Sequence, residues 1–264
     1  MRYKLLAVDM DGTLLDPNKT IRAGNIAAVK KAVDAGVIFT IVTGRPLQGV
    51  EKYRHLLWPN APLITYNGAM VFDPQSKAVL YEKTLEDQAA AEIITLGKQW
   101  DTNLFIWSGG KVHVFEENEQ SNYYASHSGS IPVLITDEDA LIRQGITKIL
   151  WMDAAARVEA HQRNLQTGLT GNVTYCTSSP QFLEFFHSDV SKGNAVKFLS
   201  EYCNISPSEI ITIGDEMNDI SMLEYAGLGI AMDNAKDEVK AHADFVTLSN
   251  AEDGVAHVID RFLL

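Results

Sequence analysis

Short apolar runs stopped by polar turns recur along the first quarter of the chain. Residues 5–8, 37–42 and 61–66 each read as a buried strand, bounded by turn-forming residues. Between the first two, Ile26, Val29 and Val33 repeat at helical spacing within 21–35, and Gly36 marks the stop. Pro46 is well placed near the first turn of a following helix. Alternation of strand and helix in this way predicts a doubly wound α/β fold with a mostly parallel sheet.

The pattern then changes. Residues 69–72 and 78–82 form a hairpin around Asp73-Pro74-Gln75-Ser76, and 85–100 reads as a helix. Residues 104–107 and 112–115 flank Ser108-Gly109-Gly110, a strong hairpin signal. A polar helix over 117–127, a strand over 146–152 and a helix over 154–166 follow, then a hairpin of 173–177 with 182–186. Hairpins separated by helices predict an antiparallel sheet covered by helices, an inserted α+β domain at 84–186. The first pattern resumes with a helix at 192–202, strands at 209–213, 228–232 and 245–247, and helices through 220–225, before 242 and over 251–264. The expected organisation is a Rossmann-like core made of 1–83 and 187–264, split by the insert.

Composition narrows the function. The chain has 264 residues, 46% hydrophobic and 21% charged, the profile of a globular protein with ample core. A formal net charge of −12 argues against nucleic acid and anionic membrane as partners, and requires that any anionic substrate be drawn in by local cations. Cys176 and Cys203 have no motif spacing, Asp9 and Asp11 interrupt the first apolar run, and no uncharged stretch is long enough to span a bilayer. The expected location is the cytoplasm.

Candidate chemistry sits at the strand ends. The first strand ends in Asp9, and Asp11 follows before Gly12-Thr13. For an isolated Asp-x-Asp, a solvated acidic turn is the alternative. At the carboxyl end of a buried parallel strand, however, two carboxylates repel unless a cation lies between them, and oxygen donors of this kind suit Mg²⁺. Thr43 and Gly44, Lys192, and Asp215 with Asn218 and Asp219 occupy other strand or helix ends that such a fold brings to the same edge. Carboxylates, a hydroxyl, an ammonium and an amide suit a metal plus a phosphate, and a carboxylate free to attack phosphorus would give an aspartyl phosphate.

Asp9-Met10-Asp11-Gly12-Thr13, Val42-Thr43-Gly44-Arg45, Val190-Ser191-Lys192-Gly193 and Gly214-Asp215-Glu216-Met217-Asn218-Asp219 resemble, in order, the four motifs of the haloacid dehalogenase-like hydrolases. Thr43-Gly44-Arg45-Pro46, Lys192-Gly193-Asn194 and Ala231-Met232-Asp233-Asn234-Ala235, with the place of the insert, are similar to the Cof-type subfamily with its class IIB cap, and within it to YidA-type sugar phosphatases. The resemblance spans essentially the whole chain. It implies Asp9 as nucleophile and metal ligand, and Asp11 as general acid then base with its carbonyl on the metal. It implies Asp215 on Mg²⁺ and Asp219 supporting the metal through its water. Thr43, the Gly44 and Met10 N–H groups and Asn218 would hold the phosphate, and Lys192 would neutralise nucleophile and phosphoryl group. The insert would close over the site as a cap that excludes water and selects a small phosphorylated metabolite such as a sugar phosphate.

Arg45 divides between a contact to phosphate or substrate and a surface charge at a helix start. Asn67 reads as a turn former, and His113 and His127 as ordinary polar positions. Trp100, Trp107 and Trp151 read as packing of the insert, and Glu116, Glu117 and Glu119 as a solvated face. The expected activity is Mg²⁺-dependent hydrolysis of phosphate monoesters. The alternatives are a phosphomutase with the same nucleophile, a dehalogenase, for which Asp11 and the metal would be idle, and a phosphate-binding protein, which leaves Asp11 unexplained. The pattern sets no oligomeric state.

Overall fold

The computed structural model describes residues 2–57, 60–165 and 168–264, without the side chain of His127. Two units emerge: Met1–Tyr81 with Ser191–Leu264, and Glu82–Val190. The second therefore begins at 82 and ends at 190, where the sequence pattern placed 84 and 186.

The first unit is built on one sheet. Its strands are β1 (Leu5–Asp9), β2 (Ile38–Val42), β3 (Leu63–Thr65), β4 (Met70–Asp73) and β5 (Ala78–Glu82), then, after the insert, β12 (Ile210–Gly214), β13 (Leu228–Ala231) and β14 (Phe245–Val246). The order across the sheet is β14-β13-β12-β1-β2-β3-β4-β5. Pairing is parallel from β14 to β3, and β4 runs antiparallel to β3. All five residues of β1 and of β12 are buried, which is why these strands read as unbroken apolar runs rather than alternating ones.

Both faces of the sheet are covered. Leu6 and Val8 of β1 face one way, into a cluster with Val29 of α1 (Ala23–Asp34) and Val255 and Ile259 of α10 (Gly254–Phe262). Leu5 and Ala7 face the other, toward Val196 and Leu199 of α7 (Lys192–Tyr202) and Met222 of α8 (Ile220–Tyr225). Fully burying a Leu or Val side chain stabilises the fold by roughly 1.5–3 kcal/mol. The chain leaves β1 toward β2 on one side and returns to β12 on the other, so β1 is where the strand order reverses and where such sheets hold ligands. Ile21, expected inside the first helix, instead bridges Leu15, and the helix starts at Ala23. α2 (Leu47–Arg54) and α9 (Asp237–Lys240) complete the unit.

The second unit has a six-stranded sheet in the order β10-β11-β9-β6-β7-β8, from β6 (Asn103–Ser108), β7 (Lys111–Val114), β8 (Val133–Leu134), β9 (Lys148–Met152), β10 (Val173–Ser179) and β11 (Phe182–His187). It is not wholly antiparallel as expected, because β8 pairs parallel to β7. The helices are α3 (Asp87–Gln99), α4 (Glu119–Ser128), α5 (Glu138–Gln144) and α6 (Ala155–Leu165). The expected last residue of α6, Gln166, lies outside the described residues. Gly109 and Gly110 both take positive φ and close the β6–β7 hairpin. Trp107 and Trp151 are fully buried in this unit, Trp100 packs edge-on to Trp151, and Glu116, Glu117 and Glu119 are exposed. Among the described residues no helix is long and apolar enough to cross a membrane.

Candidate active site

Asp9 ends β1 and Asp215 follows β12, its parallel neighbour, so register alone sets the two carboxylates side by side. Asp219 sits one turn beyond Asp215, and Lys192 is the first residue of α7. Asp9, Asp215 and Asp219 are all buried, and each offers an oxygen within 4.8 Å of the others'. The Lys192 ammonium, also buried, pairs with Asp9 Oδ1 at 2.5 Å and with Asp219 Oδ1. Asp219 Oδ2 accepts the backbone N–H groups of Asp215 and Glu216, both at 2.9 Å, so both of its oxygens are engaged. Thr13 donates to Asp215 Oδ1 at 2.6 Å. Gly12 has φ +88°, and a Cβ there would lie 2.2 Å from Asp215 Oδ2, so only glycine fits.

Three acids against one ammonium leave negative charge in excess. Burial, then the nearby Asp219 and Asp215, push the Asp9 carboxyl well above the usual range, against the pull of Lys192. Burial, with Asp219 and Glu216 adding, pushes Asp215 up to about 6 against the Thr13 hydrogen bond. Burial works against the Lys192 charge, yet Asp219 and Asp9 raise its pKa above the ordinary lysine value. Among the described residues, no hydrogen bond engages Asp9 Oδ2 or Asp215 Oδ2. Hard oxygen donors, a deficit of positive charge and two uncommitted oxygens fit a divalent cation such as Mg²⁺. Asp9 and Asp215 would hold it directly.

Asp11 lies outside that cluster. Its carboxylate takes a bidentate pair from Arg45, Nε and Nη2 both at 2.7 Å, and a third bond from Lys19 at 2.9 Å. Burial alone would raise its pKa, but the Arg45 and Lys19 hydrogen bonds outweigh that and hold it below the usual carboxylate range. Arg45 is thus paired with Asp11 rather than a bare surface charge, and it lies over Tyr53, 5.5 Å from the ring centre. Thr43 follows β2, next to Asp9 in register, and its hydroxyl accepts the Arg45 N–H at 3.2 Å. No hydrogen bond engages the Gly44 N–H among the described residues. Asn218 donates to Asn67 Oδ1 at 2.9 Å. Met10 is fully buried, and its carbonyl accepts the Leu15 N–H at 2.8 Å.

Sequence reasoning passed over several supports. Thr13 carries Asp215, Lys19 joins Arg45 on Asp11, and Asn234 donates to the Gly12 carbonyl at 2.8 Å. Thr13 stood inside a quoted motif and Asn234 inside another, so the motif wording held the signal; Lys19 had none. Of the histidines, His113 lies on β7 of the second unit, and the His127 side chain lies outside the described residues.

This chain belongs to the haloacid dehalogenase-like hydrolases: the model of that family matches residues 6–259. The Bacillus subtilis protein YxeH is 32% identical over 267 residues, covering 99% of both chains. A 5-amino-6-(5-phospho-D-ribitylamino)uracil phosphatase of the same organism, YcsE, is 32% identical, covering 99% of this chain and 96% of its own. A crystal structure from Thermotoga maritima superimposes with a TM-score of 0.89 at 30% identity, covering 98% of this chain and 97% of that one. The subclass IIB sugar phosphatase BT4131 shares the fold, with a TM-score of 0.80 at 23% identity over 98% of each chain.

Proposed function

We propose that the protein is a Mg²⁺-dependent phosphatase that hydrolyses small phosphorylated metabolites, sugar phosphates in particular, through an aspartyl phosphate on Asp9. The observation that carries this reading is the buried, charge-unbalanced set of Asp9, Asp215 and Asp219 around one lysine. A bound Mg²⁺ would supply the charge that lets an aspartate approach a phosphate dianion.

In the first step one oxygen of Asp9 attacks phosphorus and the bond to the leaving alkoxide breaks. Asp11, which takes up a proton from solvent when Arg45 and Lys19 loosen their hold, gives that alkoxide its proton. In the second step Asp11, left ionised by that transfer and still apart from those cations, takes a proton from water. The resulting hydroxide attacks phosphorus, the bond to Asp9 breaks, and inorganic phosphate leaves. Thr43, the N–H groups of Met10 and Gly44, and Asn218 hold the phosphoryl oxygens, with Lys192 beside the nucleophile. Asp219 is assigned the support of the metal's water and the anchoring of Lys192.

Substrate selection falls to the inserted unit. The sugar-phosphate assignment draws on relatives whose names carry a sugar or phosphoribityl group. Two free cysteines suit the reduced cytoplasm. The test is phosphate release from a panel of small phosphomonoesters with Mg²⁺ and with chelator. Metal-dependent release is expected. Conversion of a sugar phosphate to its isomer without free phosphate would replace hydrolysis by a mutase reaction, and binding without turnover would replace both.

A further inference from the structure

The strand end at β3 carries a feature that none of the motifs describes. Tyr66, Asn67 and Gly68 lie in a row in the left-handed region, at φ 54°, 58° and 100°. Side chains other than glycine disfavour that region, and such strain persists only where the surroundings hold it. Here they do. The Tyr66 N–H donates to the Arg45 carbonyl at 3.1 Å, and the Asn67 N–H to the Thr43 carbonyl at 3.0 Å. These two carbonyls bracket Gly44, whose own N–H stays uncommitted among the described residues. Gly44 lies against the Asn67 side chain, since a Cβ on it would sit 2.8 Å from Asn67 Oδ1. The same Oδ1 accepts from Asn218 Nδ2 at 2.9 Å. On the other side, a Cβ on Gly68 would meet the Ser191 carbonyl at 2.2 Å and Lys192 N at 3.1 Å. One turn therefore touches the loop of Thr43 and Gly44, the start of the Lys192 helix, and the loop of Asn218.

We propose that Asn67 is a positioning residue for the phosphate group: its side-chain oxygen orients the Asn218 amide, and its backbone N–H, with that of Tyr66, holds the Thr43–Gly44 loop so that the Gly44 N–H faces the ligand. An amide nitrogen carries two hydrogens; Asn218 gives one to Asn67 and keeps the other for a phosphate oxygen. The left-handed backbone is what brings the Asn67 side chain over Gly44 and its N–H back to Thr43 at once. This inference rests on the phosphatase reading above.

The test separates amide from backbone. Asn67→Gly keeps the left-handed conformation without strain and removes only the side chain. With Mg²⁺ present, KM for a small phosphomonoester and the Kd of inorganic phosphate rise together by about tenfold, while kcat stays within about threefold. Asn218→Ala shows the same rise, and Asn67→Gly adds nothing further in that background. Asn67→Asp keeps the acceptor and tolerates the backbone but brings a negative charge to the phosphate, so KM rises at least as far. An Asn67→Gly protein with unchanged KM and Kd, a loss confined to kcat, or effects that add in the double variant would overturn the proposal alone. A wild-type protein that neither binds phosphate nor releases it would take down the phosphatase reading and this inference together.

Discussion

Each unit buries a lysine against acids, and the two sites are not alike. In the insert, Lys148 faces Glu184 at 3.2 Å, both nearly inaccessible, and Ser178 donates to the same Glu184 oxygen at 2.9 Å. One ammonium meets one carboxylate beside Trp107 and Phe186. Burial opposes the Lys148 charge, and Glu184 more than restores it. In the core, one ammonium meets three carboxylates. A neutral buried pair satisfies itself, while an unbalanced cluster must take up protons or another cation. Both sites contain buried charge; the difference in charge balance is what marks one of them as a centre for chemistry.

The contrast can be broken by substitution. The largest effect is expected from Asp9→Asn, which removes the proposed nucleophile: phosphate release falls by about 10⁴-fold or more. The same change removes a repelling charge, so the metal-free protein melts higher than wild type, as calorimetry would show. Next comes Lys192→Met. Stripping the Lys192 ammonium from three acids lowers kcat by about 10³-fold and costs about 3–5 kcal/mol of stability in chelator, read by urea unfolding. Lys148→Met costs a similar amount of stability, but adding Glu184→Leu restores most of it, because a buried pair can be exchanged for apolar groups at little net cost. No second change in the core pairs off in that way.

Proton linkage sharpens the same comparison. Asp215 is pushed up to about 6 in the folded protein, above its unfolded value. The stability its proton gives is complete below the unfolded value and is lost as pH rises through about 6. Asp9 moves in the same direction. Asp11, held below the usual range, acts oppositely and only at lower pH. Chelated protein should therefore melt lower at about pH 7.5 than at about pH 5, and Mg²⁺ should close the gap. The smallest effect is expected from Thr13→Val, which takes one hydrogen bond from Asp215 and weakens Mg²⁺ binding by about tenfold in a calorimetric titration.

The unbroken apolar runs of β1 and β12 reveal their own burial, and a parallel sheet brings their ends together, so the placement of Asp9 beside Asp215 was legible from pattern alone. The insert was legible as a change from single buried runs to hairpins. Its β8, two residues long, is too short to show a period, and α5 follows without an apolar stripe longer than two turns. The pairing of Arg45 with Asp11 depends on how α2 and the loop carrying Lys19 close over the end of β1, which residue spacing does not encode. Asn67-Gly68 announced a turn, but nothing in residue type reveals that Tyr66 is left-handed too, or that 151 residues separate Asn67 from its partner Asn218.

The central claim is that the unbalanced cluster makes Asp9 a nucleophile. Its most direct test is rapid acid quenching of the enzyme during turnover of a phosphomonoester with Mg²⁺, followed by peptide mass analysis. The account predicts one phosphoryl group on the peptide bearing Asp9, absent with chelator and absent in Asp9→Asn. Turnover with no phosphorylated Asp9 peptide at any quench time, or undiminished turnover by Asp9→Asn, would contradict it.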